Sequence, residues 1–266
     1  MQNTTKKEER QGRAAGKTGP EGEIYRQSVK QDSQIKEQSE PKKYAERKIP
    51  MKFSPIITVG RQYGSGGREV AKKLAEIMNV SFYDKELLAE ASKDSGICQE
   101  VMETFDEKQG KRSFLSMMGN LQGRMDPAGM YLEMPLNHRI FLAQFDTIRR
   151  IAGEGPCVIV GRCADYVLRD HENVLNVFIK ASMEERVKRI TKLYDMDPMK
   201  AEETIRKADK QRATYYNYYA TGTWGDVANY HLTLDTGVLG VDGAVELIRR
   251  AVELRQDKAE EDGIQW

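Results

Sequence analysis

The sequence predicts an α/β fold, a parallel sheet flanked by helices, on three observations. Short β-branched runs that stop at glycine recur, as in Pro55-Ile56-Ile57-Thr58-Val59-Gly60 and Pro156-Cys157-Val158-Ile159-Val160-Gly161, and such runs suit strands buried on both faces. Stretches with apolar residues at helical spacing alternate with them, the order expected of a parallel sheet with crossover helices. The first run passes through a glycine-rich loop straight into a helical pattern.

Taken in order, the run at 55–60 is the first strand and Gly60-Arg61-Gln62-Tyr63-Gly64-Ser65-Gly66-Gly67-Arg68 the loop after it. Glu69 to Asn79 places Val70, Leu74, Ile77 and Met78 on one helical face. Val80 to Asp84 reads as a second short strand with Asp84 at its carboxyl end, followed by a helix from Lys85 to Ser92. Residues 93–135 mix Gly, Met and charge and predict broken helices over a mobile flap. Asn137 to Ala152 is a helix with Ile140, Phe141, Phe145, Ile148 and Ile151 in one apolar stripe. Strands follow at 156–162 and 174–179, then a basic amphipathic helix from Met183 to Tyr194. Pro198 opens a helix running toward Tyr219, His231 to Thr236 is the last strand, and Val241 to Arg255 the closing helix. Open α/β sheets bind ligands beyond the carboxyl ends of their strands. Gly60, Asp84 and Gly161-Arg162 all fall there.

Hydrophobic residues make up 39% of the 266-residue chain and charged residues 31%. The apolar deficit is concentrated in residues 1–50, which are packed with Lys, Glu, Gln, Arg and Ser. Such a segment cannot bury enough surface to offset the entropy of ordering it, so it reads as a disordered charged tail. Lys and Arg number 42 against 41 Asp and Glu, a net charge of +1. That balance provides no global field for nucleic acid or a membrane surface, and the basic stretches alternate with acidic ones. No apolar stretch is long enough to span a bilayer or serve as a signal-peptide core. Three cysteines without CxxC spacing point to reduced, buried thiols in a cytoplasmic protein. His138, His171 and His231 are scattered singly and suggest neither a triad nor a metal site.

The loop carries the chemistry. A polyphosphate needs several backbone N–H groups converging on its oxygens, and glycine lets the backbone come that close. A tight strand-to-helix turn would need one or two glycines, whereas Gly60, Gly64, Gly66 and Gly67 fall within eight positions, flanked by Arg61 and Arg68. The loop departs from the standard GxxxxGK[ST] pattern, in which a lysine reaches the outer phosphates and a hydroxyl holds Mg²⁺. With Gly66 aligned on the last glycine, Gly67 takes the lysine position, and Arg68 and Glu69 follow. The cation must come from Arg61, Arg68 or Lys72. The metal-binding hydroxyl is either replaced by Glu69 or shifted to Ser65, which leaves the metal ligands unknown.

The segments ITVGRQYGSGGREVAKKLAE, FYDKELL, CVIVGRCADYVL and VFIKASMEERVKRI, in this order and spacing, resemble the cytidylate kinase-like family. That family is a nucleoside monophosphate kinase branch of the P-loop superfamily, and the resemblance covers about residues 54–250. It implies a five-stranded parallel sheet flanked by helices, with a helical monophosphate-binding flap at 93–135 and a lid at 195–228. The kinase-like domain then occupies 51–266. The implied reaction transfers the γ-phosphoryl group of ATP, with Mg²⁺, to CMP or dCMP. Gly60, Arg61, Gly64, Ser65, Gly66, Gly67, Arg68 and Glu69 would bind the nucleotide phosphates.

Asp84 matches an aspartate at the start of the family's monophosphate region. It would accept from a cytosine amino group or sugar hydroxyl, or else cap the helix at Lys85. Gly161-Arg162 matches the Gly-Arg of a Gly-Arg-Asp motif whose arginine contacts the monophosphate. Here Cys163 follows, and the nearest carboxylate is Asp165. Arg206, Asp209 and Arg212, spaced by three, resemble the family's lid segment and would stabilise transferring charge. Arg186 and Arg189 read as an exposed helix face. Tyr215, Tyr216, Tyr218 and Tyr219 would pack the lid helix or stack a base, and Trp224 belongs to the lid's return loop. Two other readings keep the fold: a kinase of another small-molecule or protein acceptor, and a non-catalytic nucleotide-binding regulator. The partner is a small-molecule nucleotide, and no feature specifies an oligomeric state.

Overall fold

In the computed structural model, residues 55–99, 101–102 and 135–262 are described. The charged tail expected at 1–50 and most of the flap expected at 93–135 lie outside them. Among the described residues, five parallel strands form one sheet: β1 (Ile56–Arg61), β2 (Ser81–Tyr83), β3 (Cys157–Val160), β4 (Val174–Lys180) and β5 (Leu232–Asp235). Their spatial order is β2-β3-β1-β4-β5. The predicted parallel five-stranded architecture is thus the observed one. The helices are α1 (Gly67–Met78), α2 (Glu86–Ser95), α3 (Leu136–Glu154), α4 (Ala164–Val167), α5 (Met183–Tyr194), α6 (Pro198–Tyr219) and α7 (Thr236–Glu261). No helix among the described residues is long and apolar enough to cross a membrane.

β1 lies in the middle, and its pleat divides the core. Ile57 and Val59 face Val70, Leu74, Val245 and Ile248 of α1 and α7, all buried. Ile56 faces the other layer, with Ile148, Ile151, Cys157, Ile159 and Val174. Burying one such aliphatic side chain is worth about 1.5–3 kcal/mol, so the strands that looked most apolar in sequence are the ones the sheet buries on both sides. One polar pair crosses the centre: the Thr58 hydroxyl donates to Asn176 Oδ1 at 2.7 Å, satisfying two groups that burial would otherwise penalise.

The register brings the carboxyl ends together. Val59 pairs with Val160, Arg61 with Ile179, Tyr83 with Ile159 and Lys180 with Asp235. The glycine loop, Asp84 and Gly161 therefore emerge along one edge.

Local signals set the helix boundaries. The Ser182 side chain accepts from the Glu185 N–H to open α5, as its Ser-x-x-Glu pattern favours. Asp197 caps α6 by accepting from the Met199 and Lys200 N–H groups, with Pro198 in the first turn. The segment named α7 begins at Thr236, ahead of the expected Val241, but its backbone is non-helical at Gly240, where φ is 66°. Regular helix thus starts where the apolar spacing placed it.

Candidate functional site

The loop between β1 and α1 is built into the sheet by its backbone. The Gln62 N–H donates to the Ile179 carbonyl at 3.0 Å, and Gln62 Oε1 accepts from the Ala181 N–H at 3.1 Å. The Ser65 hydroxyl donates to the carbonyls of Gln62 at 2.9 Å and Ile179 at 3.1 Å, and Thr236 Oγ1 donates to the Ser65 carbonyl at 2.5 Å. Gly64 and Gly66 have φ of 80° and 78°, left-handed values that L side chains rarely adopt. Gly66 also lies beneath Arg189, whose guanidinium carbon would be 3.1 Å from an added Cβ. Gly67 opens α1 against the side chain of Arg61.

Two helices close on this loop. Asp209 on α6 accepts from the Tyr63 N–H through Oδ1 at 2.7 Å, and its Oδ2 pairs with Arg186 Nη1 of α5 at 2.5 Å. The same guanidinium nitrogen reaches the Tyr63 carbonyl at 3.3 Å. Arg212 Nη1 donates to the Arg61 carbonyl at 3.1 Å, and its guanidinium stands 5.4 Å from the centre of the Tyr63 ring. Asp209 and Arg212 thus reach the loop. Arg206 does not join them: it is exposed and pairs with Glu202 on its own helix, Nη2 to Oε1 at 2.6 Å. Residues six apart on an α-helix are rotated by about 120°, so the first and last of the three cannot share a narrow face. Arg186 also departs from expectation, since it is buried at 5% exposure rather than lying on an open helix face. Arg189, read with it as exposed, pairs with Glu69.

Asp84 is the electrostatic centre of the strand-end edge. It is 6% exposed, with Arg68 Nε at 2.6 Å from Oδ2 and Arg61 Nη2 at 3.7 Å from Oδ1. Burial pushes its pKa up, but the charges of Arg61, Arg68 and Arg162 outweigh that and hold it below the ordinary carboxylate range. It does not cap the next helix. Lys85 is the N-cap of α2, without a side-chain cap bond, and the Asp84 N–H itself donates to Glu86 Oε2 at 3.1 Å.

Arg162 is presented by a turn of unusual backbone. Gly161, Arg162 and Cys163 have φ of 72°, 57° and 56°, three left-handed residues in succession. Two of them bear side chains, at a cost of about 1–3 kcal/mol each, the kind of strain that collects at functional sites. The Cys163 side chain turns inward, 3% exposed, against Tyr216 and Ala220. Burial, aided by Asp165, drives its thiol pKa far up, which makes it a packing residue. Asp165 is turned to α6, where it accepts the Tyr216 hydroxyl at 2.7 Å. Burial raises its pKa. It lines a separate cleft of about 460 Å³ with His231, Asn176 and Arg255.

The tyrosines behave as packing residues. Tyr219 stacks on Phe141 of α3, with centroids 4.0 Å apart and planes at 11°, and the Tyr215 hydroxyl donates to Gln144 at 3.2 Å. Trp224 stands edge-on to Phe178 at 5.6 Å.

Residues 56–238 match the sequence profile of the cytidylate kinase-like family, more than half of the chain. The chain belongs to the cytidylate kinase-like family. A curated cytidylate kinase from Methanopyrus kandleri is 23% identical over 210 residues, 76% of this chain and 94% of that protein. Among solved structures, an uncharacterized protein from Eubacterium ventriosum is 31% identical, with a TM-score of 0.57, and the match covers 75% of this chain and 98% of that one. A shikimate kinase from Bacteroides thetaiotaomicron aligns at 12% identity with a TM-score of 0.45, a likeness that bears on neither substrate nor mechanism. Membership makes this cytidylate kinase-like chain a phosphotransferase.

The residues at the loop are a poor fit to a protein-held Mg²⁺. The Ser65 hydroxyl is engaged by two carbonyls, and Glu69 is held by Arg189 and Lys73. No group of three or more His, Cys, Asp or Glu among the described residues could hold a metal. Magnesium bound mainly through substrate phosphates and water needs no such cage. Arg186 is the site residue that sequence reasoning missed. Its signal was faint: an arginine three turns before an aspartate-bearing helix becomes informative only once the two helices dock.

Proposed function

We propose that this member of the cytidylate kinase-like family is a cytoplasmic enzyme that transfers the γ-phosphoryl group of ATP to CMP or dCMP. The observation that carries the proposal is the charge arrangement beside the glycine loop: Arg61, Arg68 and Arg162 around the buried carboxylate of Asp84. These guanidinium groups cluster at the strand ends, where two phosphorylated substrates would meet. Phosphoryl transfer asks little covalent help of a protein and depends on positioning and on charge placed around the transferred group. In the proposed reaction an acceptor phosphate oxygen bonds to the γ-phosphorus as its bond to the bridging oxygen breaks, giving ADP and the nucleoside diphosphate. Arg162 would hold the acceptor phosphate, the backbone from Gly60 to Glu69 the donor phosphates, and Arg212 the lid-side charge. Arg206, turned to Glu202, is left out.

A specific departure favours keeping a second acceptor class in view. Cys163 replaces the family's aspartate and packs inward, and Asp165 is bound to Tyr216. A coupled assay of ADP release, with MgATP and each common nucleoside monophosphate, tests the proposal. Turnover is expected with CMP and dCMP above the others. Turnover only with a sugar or other hydroxyl acceptor would replace the acceptor, and no turnover with any would overturn the reading.

A further inference from the structure

We propose that Arg61 supplies the cation that a lysine supplies in the standard phosphate loop, and that Gly67 is glycine because the stem of that side chain runs across it. The inference rests on the nucleotide-binding reading of the loop and identifies which residue performs its central electrostatic task.

In a lysine-bearing loop the long cationic side chain leaves from the residue after the last glycine, which is Gly67 here. The space above the Gly67 Cα is already filled. A Cβ there would stand 2.5 Å from Arg61 Cβ, closer than such atoms approach, and 3.1 Å from its Cγ. The Arg61 stem thus occupies the place where a lysine stem would begin. At its other end the guanidinium lies over Gly161, where an added Cβ would meet Nη1 and Cζ. Its Nη2 then comes to 3.7 Å from Asp84 Oδ1. The side chain crosses from the end of β1, over the start of α1, to the end of β3. Its charge is delivered at the strand ends, beside Gly161 and Asp84.

The other two candidates are placed differently. Arg68 donates from Nε to Asp84 Oδ2 at 2.6 Å and leans over the Phe82 ring, 5.9 Å from its centre, on the β2 side. Lys72 follows Gly67 by five residues on α1, a rotation of about 140°, and so leaves from another face of the helix. Arg61 is anchored at its backbone as well: it pairs with Ile179 in the sheet, and its carbonyl accepts from Arg212 at 3.1 Å. A planar guanidinium held at both ends can grip phosphate oxygens bidentately, which a lysine cannot do.

The test measures binding of MgATP and of inorganic tripolyphosphate by titration calorimetry, with thermal melts to confirm folding. Arg61→Met keeps the apolar stem and removes the charge. It should bind both probes about 10- to 100-fold more weakly, the effect of one lost charge-assisted contact. Arg61→Gly should lose binding similarly. Arg61→Gly with Gly67→Lys moves the cation to its standard origin and should regain at least about tenfold over Arg61→Gly alone. Unchanged affinity in Arg61→Met, or a folded double variant that binds no better than Arg61→Gly, would overturn the assignment. If the wild type binds tripolyphosphate but not ATP, the nucleotide kinase reading fails while the variants still decide the role of Arg61. If it binds neither, both fail.

Discussion

At the scale of single residues, Asp84 and Arg162 have opposite duties. Asp84 is a buried counter-ion that keeps three guanidinium groups at the strand ends. Replacing it with asparagine removes a buried carboxylate from beside those cations, and Asp84→Asn should cost on the order of 3 kcal/mol at neutral pH. The pH dependence follows from the sign of its shift. A carboxyl pKa depressed by folding contributes stability that is present above the unfolded value of about 4 and is lost as the pH falls through the lower folded value. The gap between wild type and Asp84→Asn in urea melts should therefore narrow from about pH 7 to about pH 3. A gap that widened in acid would contradict the arrangement. Arg162 sits on a strained turn whose backbone favours no side chain for stability's sake. Arg162→Ala should fold as well as the wild type yet lose about 10³-fold or more in ADP release, the scale of an arginine acting on transferring charge. Arg162 was legible because it follows a strand-terminal glycine. The counter-ion role of Asp84 was not, because Arg68 and Arg162 reach it only when separate elements meet.

At the scale of elements, α5 and α6 turn a loop into a site. Asp209 joins the Tyr63 N–H to the Arg186 guanidinium, and both members of that ion pair are largely buried, at 7% and 16% side-chain exposure. Asp209→Ala removes one partner from a desolvated pair and should cost about 3 kcal/mol in urea unfolding. Arg206→Ala, at an exposed pair one turn away, should change stability by less than about 1 kcal/mol. Equal effects would mean that α6 docks through its packing alone. The amphipathic spacing of α5 and the opening Pro198 of α6 predicted the limits of both helices closely, since such signals act within a few residues. The failure of Arg206 to join Asp209 and Arg212 has a local cause too: the spacing-by-three argument holds for neighbours but drifts over a second step. The burial of Arg186 depends on a contact 23 residues away in sequence, and no local pattern encodes it.

At the scale of the whole molecule, the central strand is shared by every layer. Ile57 has no exposed surface and packs between α1, α7 and the neighbouring strands. Ile57→Ala should cost about 2–5 kcal/mol, seen as a lower urea midpoint with an unchanged slope. A changed slope would show that the sheet's two layers unfold separately. The five strands were open to sequence reasoning as short runs between helical stretches, but their order β2-β3-β1-β4-β5 was not, because no local pattern says which strands pair. The acceptor is less open: Cys163 after Gly161-Arg162 faces inward, and Asp165 lines a second cleft.

The return loop after α6 has an optical consequence. The chain has two tryptophans, Trp224 and Trp266. Trp224 is tied to α6 by its N–H bond to Asn217 at 2.8 Å, and its indole meets Phe178 of β4 edge-on. Any tilt of α6 away from the loop drags that indole off a fixed aromatic wall and into water. In a Trp266→Phe background, the emission wavelength of Trp224 thus becomes a built-in gauge of how tightly α6 sits, readable in solution without a label.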